Sequence, residues 1–157
     1  MKRRSILSLS AITVLGLALA ASNAVAQSAK ELVGTWTIAK AEAFGPTPKG
    51  MLMFDANGRF VQVLLRPDLP KYAANNRTQG TAEENKATVQ GTLAFFGTYK
   101  VEGTTLTRHI EGSSFPNWTE TDQKLSELTL TGDELKWTNP APSGGGGTVV
   151  VVWKRAK

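Results

Sequence analysis

The only histidine of the chain belongs to its most specific candidate chemical pair. His109 and Glu111 stand two residues apart in the alternating segment Thr105–Gly112. Residues two apart in a strand share a face, so these side chains lie close together. A carboxylate beside an imidazole raises the histidine pKa and fixes its tautomer. The pair is a candidate acid and base or a ligand-binding pair, and the structural alternative is a solvent-facing polar row.

Four further side chains have chemistry that suits a small-molecule pocket. They are Arg66, Tyr99, Asn117 and Trp118. Arg66 ends a predicted strand, where its guanidinium can pair with Glu111 or with an acidic ligand group. Asn117 supplies donors and an acceptor, and Trp118 supplies a flat apolar face. Together with the histidine–glutamate pair, these residues form the predicted ligand-binding set. The structural alternatives are a surface cation and a turn whose aromatic packs on the core.

The composition excludes several other kinds of chemistry. The chain has 157 residues, one His and no Cys. Without thiols it has no disulfide scaffold, cysteine nucleophile, zinc finger or iron–sulfur site. A single His cannot form a multi-histidine metal site, and no G-x-S-x-G segment supplies a serine nucleophile. We therefore expect no metal and no cofactor.

The first 26 residues have the layout of a secretory signal peptide. Basic residues at positions 2–4 precede the apolar run Ile6–Ala21, and Ala24-Val25-Ala26 is a small-x-small cleavage site. The run is short for a membrane span and lacks a basic flank after it, which favours cleavage after Ala26 over a stable membrane anchor. We expect a periplasmic or secreted protein with one domain over residues 27–157.

Removal of this segment lowers the net charge of the chain. The full chain carries +5, from 18 basic and 13 acidic residues. Without residues 1–26 it loses three basic residues, so 15 − 13 leaves +2. No basic cluster longer than Lys154-Arg155 remains, which argues against nucleic acid as a partner. The sequence leaves the oligomeric state open.

The rest of the chain is patterned mostly as strands rich in Thr, aromatic and β-branched residues. The predicted strands are 32–44, 49–54, 59–66, 97–102, 105–112, 123–130, 135–138 and 148–154. Asp55–Gly58 places Asn-Gly between two apolar runs, which is a strong hairpin signal because both positions tolerate positive φ. Eight short strands with tight turns predict an antiparallel up-and-down barrel or a sandwich.

The segment 67–96 breaks the strand pattern. Thr81-Ala82-Glu83-Glu84 fits a capping box, and apolar residues then recur at helical spacing as far as Phe96. This predicts a helix over about 82–95. Two interpretations stay open, a lid over a binding site and a plug that fills one end.

A run of glycines, Gly144–Gly147, resembles a phosphate-binding loop only in composition. Such a loop needs a following helix with Lys and Ser or Thr. Here the apolar strand segment 148–153 follows. We therefore predict a flexible hairpin loop.

A motif at the start of the first strand resembles the opening of lipocalin and calycin barrels. Gly34-Thr35-Trp36 matches G-x-W, and Arg155, or alternatively Lys154, matches the family's basic residue near the last strand. The segments that extend this resemblance to the bacterial lipocalin-like domain family are 32–36, 48–50, 54–55, 66–67, 96–99, 111–113 and 115–118. The resemblance covers about residues 29–155. It implies an all-β barrel of about eight strands, a pocket, and closure of one end by Gly34, Trp36 and Arg155. Typical lipocalins carry a helix after the last strand, and this chain departs from them because its predicted helix is inserted between the third and fourth strands.

These observations support two hypotheses about function. The first is an exported protein that binds a small, mainly apolar molecule inside the barrel. The apolar side chains expected in its pocket are Met53, Phe60, Leu64 and Phe96. The alternative is a barrel enzyme, an isomerase, cyclase or hydratase, in which His109 and Glu111 are the acid/base pair and Tyr99 or Arg66 polarises an oxygen. The enzyme requires the pair in a shared inward pocket. A third role, adhesion through a sheet edge or the barrel surface, lacks a clear apolar stripe.

Overall fold

Eight strands pair in chain order and close on themselves. The computed structural model describes residues 29–157, so the predicted signal peptide lies outside the described residues. The strands are β1 (Gly34–Ala41), β2 (Lys49–Phe54), β3 (Arg59–Leu65), β4 (Thr92–Glu102), β5 (Thr105–Ser113), β6 (Thr121–Thr131), β7 (Glu134–Asn139) and β8 (Val149–Arg155). Each pairs antiparallel with its neighbours, and β8 returns to β1. The predicted all-β up-and-down barrel is confirmed.

Side chains alternate between the barrel interior and its outer wall. On β5 the side chains of Leu106, Arg108 and Ile110 are buried, whereas that of His109 between them is partly exposed. Every other strand also contributes buried apolar residues to one continuous core. This alternation follows from the two-residue period of a strand whose one face is buried.

One end of the barrel is closed by a cation stacked on an indole. The Trp36 indole is fully buried, and its Nε1 donates to the Leu32 carbonyl oxygen at 2.9 Å. The Arg155 guanidinium lies 4.1 Å from the centroid of the Trp36 ring. It also donates to the carbonyl oxygens of Glu31 and Val33. Arg155 thus satisfies backbone acceptors and makes a cation–π contact at the same time.

Gly34 permits this close approach. Its φ of 132° is rare for residues with a side chain, and a Cβ here would lie 3.0 Å from Nη1 of Arg155. A larger residue would strain the backbone and crowd the guanidinium that covers Trp36.

The opposite end of the barrel carries the longer connections. Residues 42–48, 66–91, 114–120 and 140–148 join the strands here, whereas residues 55–58, 103–104 and 132–133 are tight turns at the closed end. We call the end with the longer connections the open end.

The helix between β3 and β4, named α1, spans Ala82–Gly91 and is shorter than predicted. The predicted capping box is confirmed: Thr81 Oγ1 accepts from the Glu84 N–H at 3.2 Å, and Glu84 Oε2 accepts from the Thr81 N–H at 2.8 Å. The prediction of helix as far as residue 95 is wrong. Residues 92–96 pair with β3 as the start of β4, because sheet pairing and alternating burial override their helical spacing.

Candidate ligand-binding site

Arg108, in the middle of β5, is a charged side chain inside the barrel. It is 2% exposed. Its Nη1 donates to Gln62 Oε1 at 2.7 Å, and its Nη2 donates to Gln123 Oε1 at 2.8 Å. Arginine is almost never fully buried unless it is paired. The two amide oxygens satisfy donors but do not neutralise the positive charge.

Aromatic rings surround the guanidinium. Its Cζ lies 4.9 Å from the ring centroid of Phe95, 5.3 Å from Phe60 and 5.4 Å from Trp137. The ring faces attract the cation and offset part of its lost hydration. Burial still lowers the pKa of Arg108 to about 9, because desolvation disfavours the charged form. At neutral pH the side chain therefore keeps its proton and its charge.

Two buried donors in this cluster lack an acceptor. Arg108 Nε and Gln123 Nε2 have no hydrogen-bond partner among residues 29–157. A buried donor without an acceptor costs roughly 1–3 kcal/mol. The cluster of Arg108, Gln62 and Gln123, which we call the polar cluster, therefore presents unused hydrogen-bond donors and an uncompensated positive charge.

A cavity of about 150 Å³ extends from the open end to the polar cluster. Gln62 and Arg108 line it from the middle of their strands, and the other lining residues lie nearer the strand ends or in the connections. The lining side chains that make its walls apolar include Leu64, Phe95, Trp118, Trp137, Val149 and Val151. Two charged residues also line it: Arg108 at its inner end, and Glu42 in the β1–β2 connection, which pairs with Lys40. Apolar walls with a few polar groups are a common composition for small-molecule pockets.

The glycine-rich segment contributes to the mouth of this cavity. Gly144 and Gly145 line it, together with Pro142 and Ser143. The segment connects β7 to β8, as the predicted hairpin loop requires. Its position beside a cavity was not predicted, because composition alone does not show what a loop faces.

Trp118 is the member of the predicted ligand-binding set that lines the cavity. It ends the 3-10 turn Pro116–Trp118 in the β5–β6 connection. Its ring meets Phe95 edge-on at 5.4 Å and Phe115 at 5.6 Å. Asn117 is exposed and borders a separate surface groove.

His109 and Glu111 lie on the outer wall, which corrects the expectation of a shared inward pocket. Glu111 accepts two hydrogen bonds from Arg59, at 3.2 and 2.6 Å. Nδ1 of His109 lies 2.9 Å from Oδ1 of Asp122, and this contact raises the pKa of His109. The face of β5 that carries Arg108 turns inward instead, because its two neighbours on that face are apolar.

Arg66 and Tyr99 also lie away from the cavity. Arg66 is exposed at the open end and donates to both carboxylate oxygens of Asp68, at 3.0 and 2.9 Å. Tyr99 donates through its hydroxyl to the Asp55 carbonyl oxygen at 3.0 Å and packs 4.5 Å from the Phe54 ring. Each side chain therefore has a structural partner outside the cavity.

The four apolar residues predicted for the pocket divide between two surfaces. Phe60 and Leu64 are buried in the interior, but Met53 and Phe96 are 45% and 48% exposed on the outer wall. Val61 on β3 is the direct pairing partner of Met53 on β2 and of Phe96 on β4, and the three residues form an outer apolar strip across β2–β4. No local sequence pattern predicts this strip, because strand pairing assembles it from separate segments.

Helix α1 neither covers nor fills the cavity. None of its residues lines the cavity, and Gly91 is its one buried residue. Val89, expected on an apolar face, is 76% exposed. The structure therefore supports neither the lid nor the plug interpretation.

Within residues 29–157, no group of three or more His, Cys, Asp or Glu residues is placed to hold a metal ion. No helix in the same range has the length and apolar character needed to cross a membrane.

A closed up-and-down barrel of eight strands, sealed at one end and hollow at the other, is the architecture of the lipocalin class. The chain belongs to the lipocalin-like domain family, whose model matches residues 33–156. The resemblance noted from the sequence is thus confirmed. No curated protein matches the chain. Among solved structures, a mutant of the fluorescent protein UnaG is similar, with 12% identity, coverage of 81% of this chain and 97% of that chain, and a TM-score of 0.39.

Proposed function

We propose that the protein is exported and holds one small, mainly apolar molecule inside its barrel. The observation that carries this proposal is the cavity of about 150 Å³ between the open end and the polar cluster. Small barrels either fill their interior with side chains or leave room for one ligand. Trp36, Leu52 and Leu135 fill the interior towards the closed end, and the cavity lies above them towards the open end.

The lining of the cavity supports a mainly apolar ligand. Leu64, Phe95, Trp137 and Val151 offer apolar surface around it. Each Å² of apolar surface removed from water contributes about 25 cal/mol to binding before the costs of association. Affinity therefore comes mostly from these walls, and orientation comes from the few polar groups that interrupt them.

Export is supported by the N-terminal sequence. A basic start, an apolar run over Ile6–Ala21 and the small residues before Gln27 are typical of a cleaved leader. Cleavage after Ala26 leaves the whole lipocalin-like region, residues 33–156, in the released chain. The compartment we propose is the periplasm or the exterior of the cell.

The chain isolated from its native host tests both parts of this proposal. We expect its intact mass to correspond to a chain that begins at Gln27, and a chain that retains Met1 contradicts export by this route. The same material is titrated with toluene, indole, 2-phenylethanol and phenylacetate while tryptophan fluorescence and melting temperature are recorded. Trp118 and Trp137 line the cavity, so occupancy changes their emission. A flat response to every compound, in emission and in melting temperature, contradicts the binding function.

Two matched variants locate the binding site. Val151→Phe adds volume inside the cavity, and Val61→Phe adds the same volume to the outer apolar strip. We expect Val151→Phe to abolish the response and Val61→Phe to retain it. The opposite pattern would place the ligand on the outer wall and refute the interior site.

A further inference from the structure

The positive charge inside the barrel lacks a protein counterion. No Asp or Glu of residues 29–157 makes a hydrogen bond or salt bridge to Arg108. The nearby polar partners, Gln62 and Gln123, are neutral amides. A charge removed from water is costly unless an opposite charge compensates it. The missing counterion can be supplied by whatever fills the adjoining cavity.

The unused hydrogen-bonding groups at this point are donors. Arg108 Nε and Gln123 Nε2 are buried and unpartnered within residues 29–157, and Arg108 lines the cavity. A carboxylate is an acceptor at both of its oxygens and carries the compensating charge. A hydroxyl group accepts a hydrogen bond as well, but it leaves the charge uncompensated.

The size and the walls of the cavity restrict the rest of the ligand. An apolar cavity of about 150 Å³ is large enough to hold a benzene molecule, and the cavity here has about the same volume. The rings of Phe95, Trp118 and Trp137 line it. Aromatic walls favour offset or edge-on contact with another flat ring. A single aromatic ring therefore fits the space, and a long acyl chain does not.

From these observations we infer that the ligand is a small aromatic monocarboxylic acid whose carboxylate binds Arg108. The inference rests on the proposed function, because it names the ligand class of the same cavity. The carboxylate accepts hydrogen bonds from the Arg108 guanidinium, and the ring lies towards the open end among the aromatic side chains. Binding converts an uncompensated buried cation into a buried ion pair.

Calorimetric titration of the wild-type protein with a matched pair of probes tests this inference. Phenylacetate and 2-phenylethanol share a ring and a two-carbon arm, and they differ in the charged group. We expect phenylacetate to bind at least about tenfold more tightly, because a hydrogen bond to a charged group contributes more than a neutral one. Dodecanoate tests the size limit, and we expect it to bind more weakly than phenylacetate.

A substitution at the polar cluster identifies the side chain that recognises the negative charge of the ligand. Arg108→Met keeps a long apolar side chain and removes the guanidinium, and we expect it to lose the preference for the acid. Arg77→Met is the matched control, because Arg77 is exposed and lies outside the cavity lining. We expect it to keep the preference. The comparison of the two probes in the wild-type protein stands even if Arg108→Met does not fold.

The outcomes separate this inference from the proposed function. Equal affinity for phenylacetate and 2-phenylethanol, or binding of neutral compounds alone, overturns the inference and leaves the binding function intact. Tighter binding of dodecanoate than of phenylacetate overturns the size limit. An unchanged preference in Arg108→Met overturns the role of Arg108. Failure of every probe to bind refutes the proposed function and the inference with it.

Discussion

At the scale of single residues, the buried charge of Arg108 links the stability of the barrel to the binding of a ligand in its cavity. The guanidinium is buried among Gln62, Gln123 and aromatic rings, and its charge is uncompensated within the described residues. Replacing buried polar groups by apolar side chains of similar size is often neutral or stabilising. The contribution of the polar cluster to folding therefore does not explain its presence, and the acid that we infer for the cavity does.

The triple variant Arg108→Met, Gln62→Leu, Gln123→Leu tests whether the polar cluster lowers the stability of the barrel. We expect its free energy of unfolding to exceed that of the wild-type protein by about 1–4 kcal/mol at pH 7, measured by denaturant titration. All three substitutions are needed, since Arg108→Met alone leaves two buried amides without their donor. A triple variant that is less stable than the wild-type protein at pH 7 contradicts the account.

The stability gain of this variant depends on pH with a defined sign. The pKa of Arg108 is lowered from its ordinary value to about 9 in the folded protein, so the unfolded chain binds more protons between pH 9 and that ordinary value. Below pH 9 the buried charge therefore destabilises the wild-type protein in full. This destabilisation is lost as the pH rises above 9 and Arg108 releases its proton. The advantage of the triple variant should shrink over the same interval.

The sequence contains a signal that Arg108 faces the interior, but the functional prediction was placed on the other face of the strand. Leu106, Arg108 and Ile110 form one face of the predicted strand, with two apolar residues around one cation. His109 and Glu111 attracted the functional prediction because an imidazole beside a carboxylate can act as acid and base. The apolar content of the first face is the better guide to the interior, because it decides which face a strand buries.

At the scale of elements, the strands were predictable and the end of the helix was not. Strand β2 and the start of β3 match the prediction, because Asp55–Gly58 fixes the hairpin: Asp55 Oδ1 accepts from the N–H groups of Asn57 and Arg59 at 2.9 and 2.7 Å. The spacing of apolar residues predicts helix for residues 92–95. Their pairing with β3 depends on contacts that no local pattern contains.

Helix α1 is expected to affect stability but not binding. Thr81→Ala removes the side chain that caps its first turn, which costs about 1 kcal/mol in comparable helices. The affinity for phenylacetate should stay unchanged, because no residue of α1 lines the cavity. Denaturant titration and calorimetry measure the two quantities separately. A tenfold loss of affinity in this variant would mean that α1 takes part in the site.

At the scale of the whole molecule, the barrel has two unlike ends. The end with tight turns is sealed by Trp36 and Arg155, and the end with long connections leads to the cavity. The family and the eight-stranded barrel could be predicted from motifs and turn spacing. The cavity could not, because it is the space left by residues from six strands and three connections. The outer apolar strip is hidden from the sequence for the same reason.

We infer that an acid lies inside the barrel with its carboxylate on Arg108. A crystal structure of the protein with phenylacetate measures this directly. We expect a carboxylate oxygen within hydrogen-bond distance of the Arg108 guanidinium and a ring in contact with Phe95 and Trp137. Phenylacetate on the outer apolar strip beside Met53 and Phe96, or in the cavity with its carboxylate turned to solvent, would contradict it.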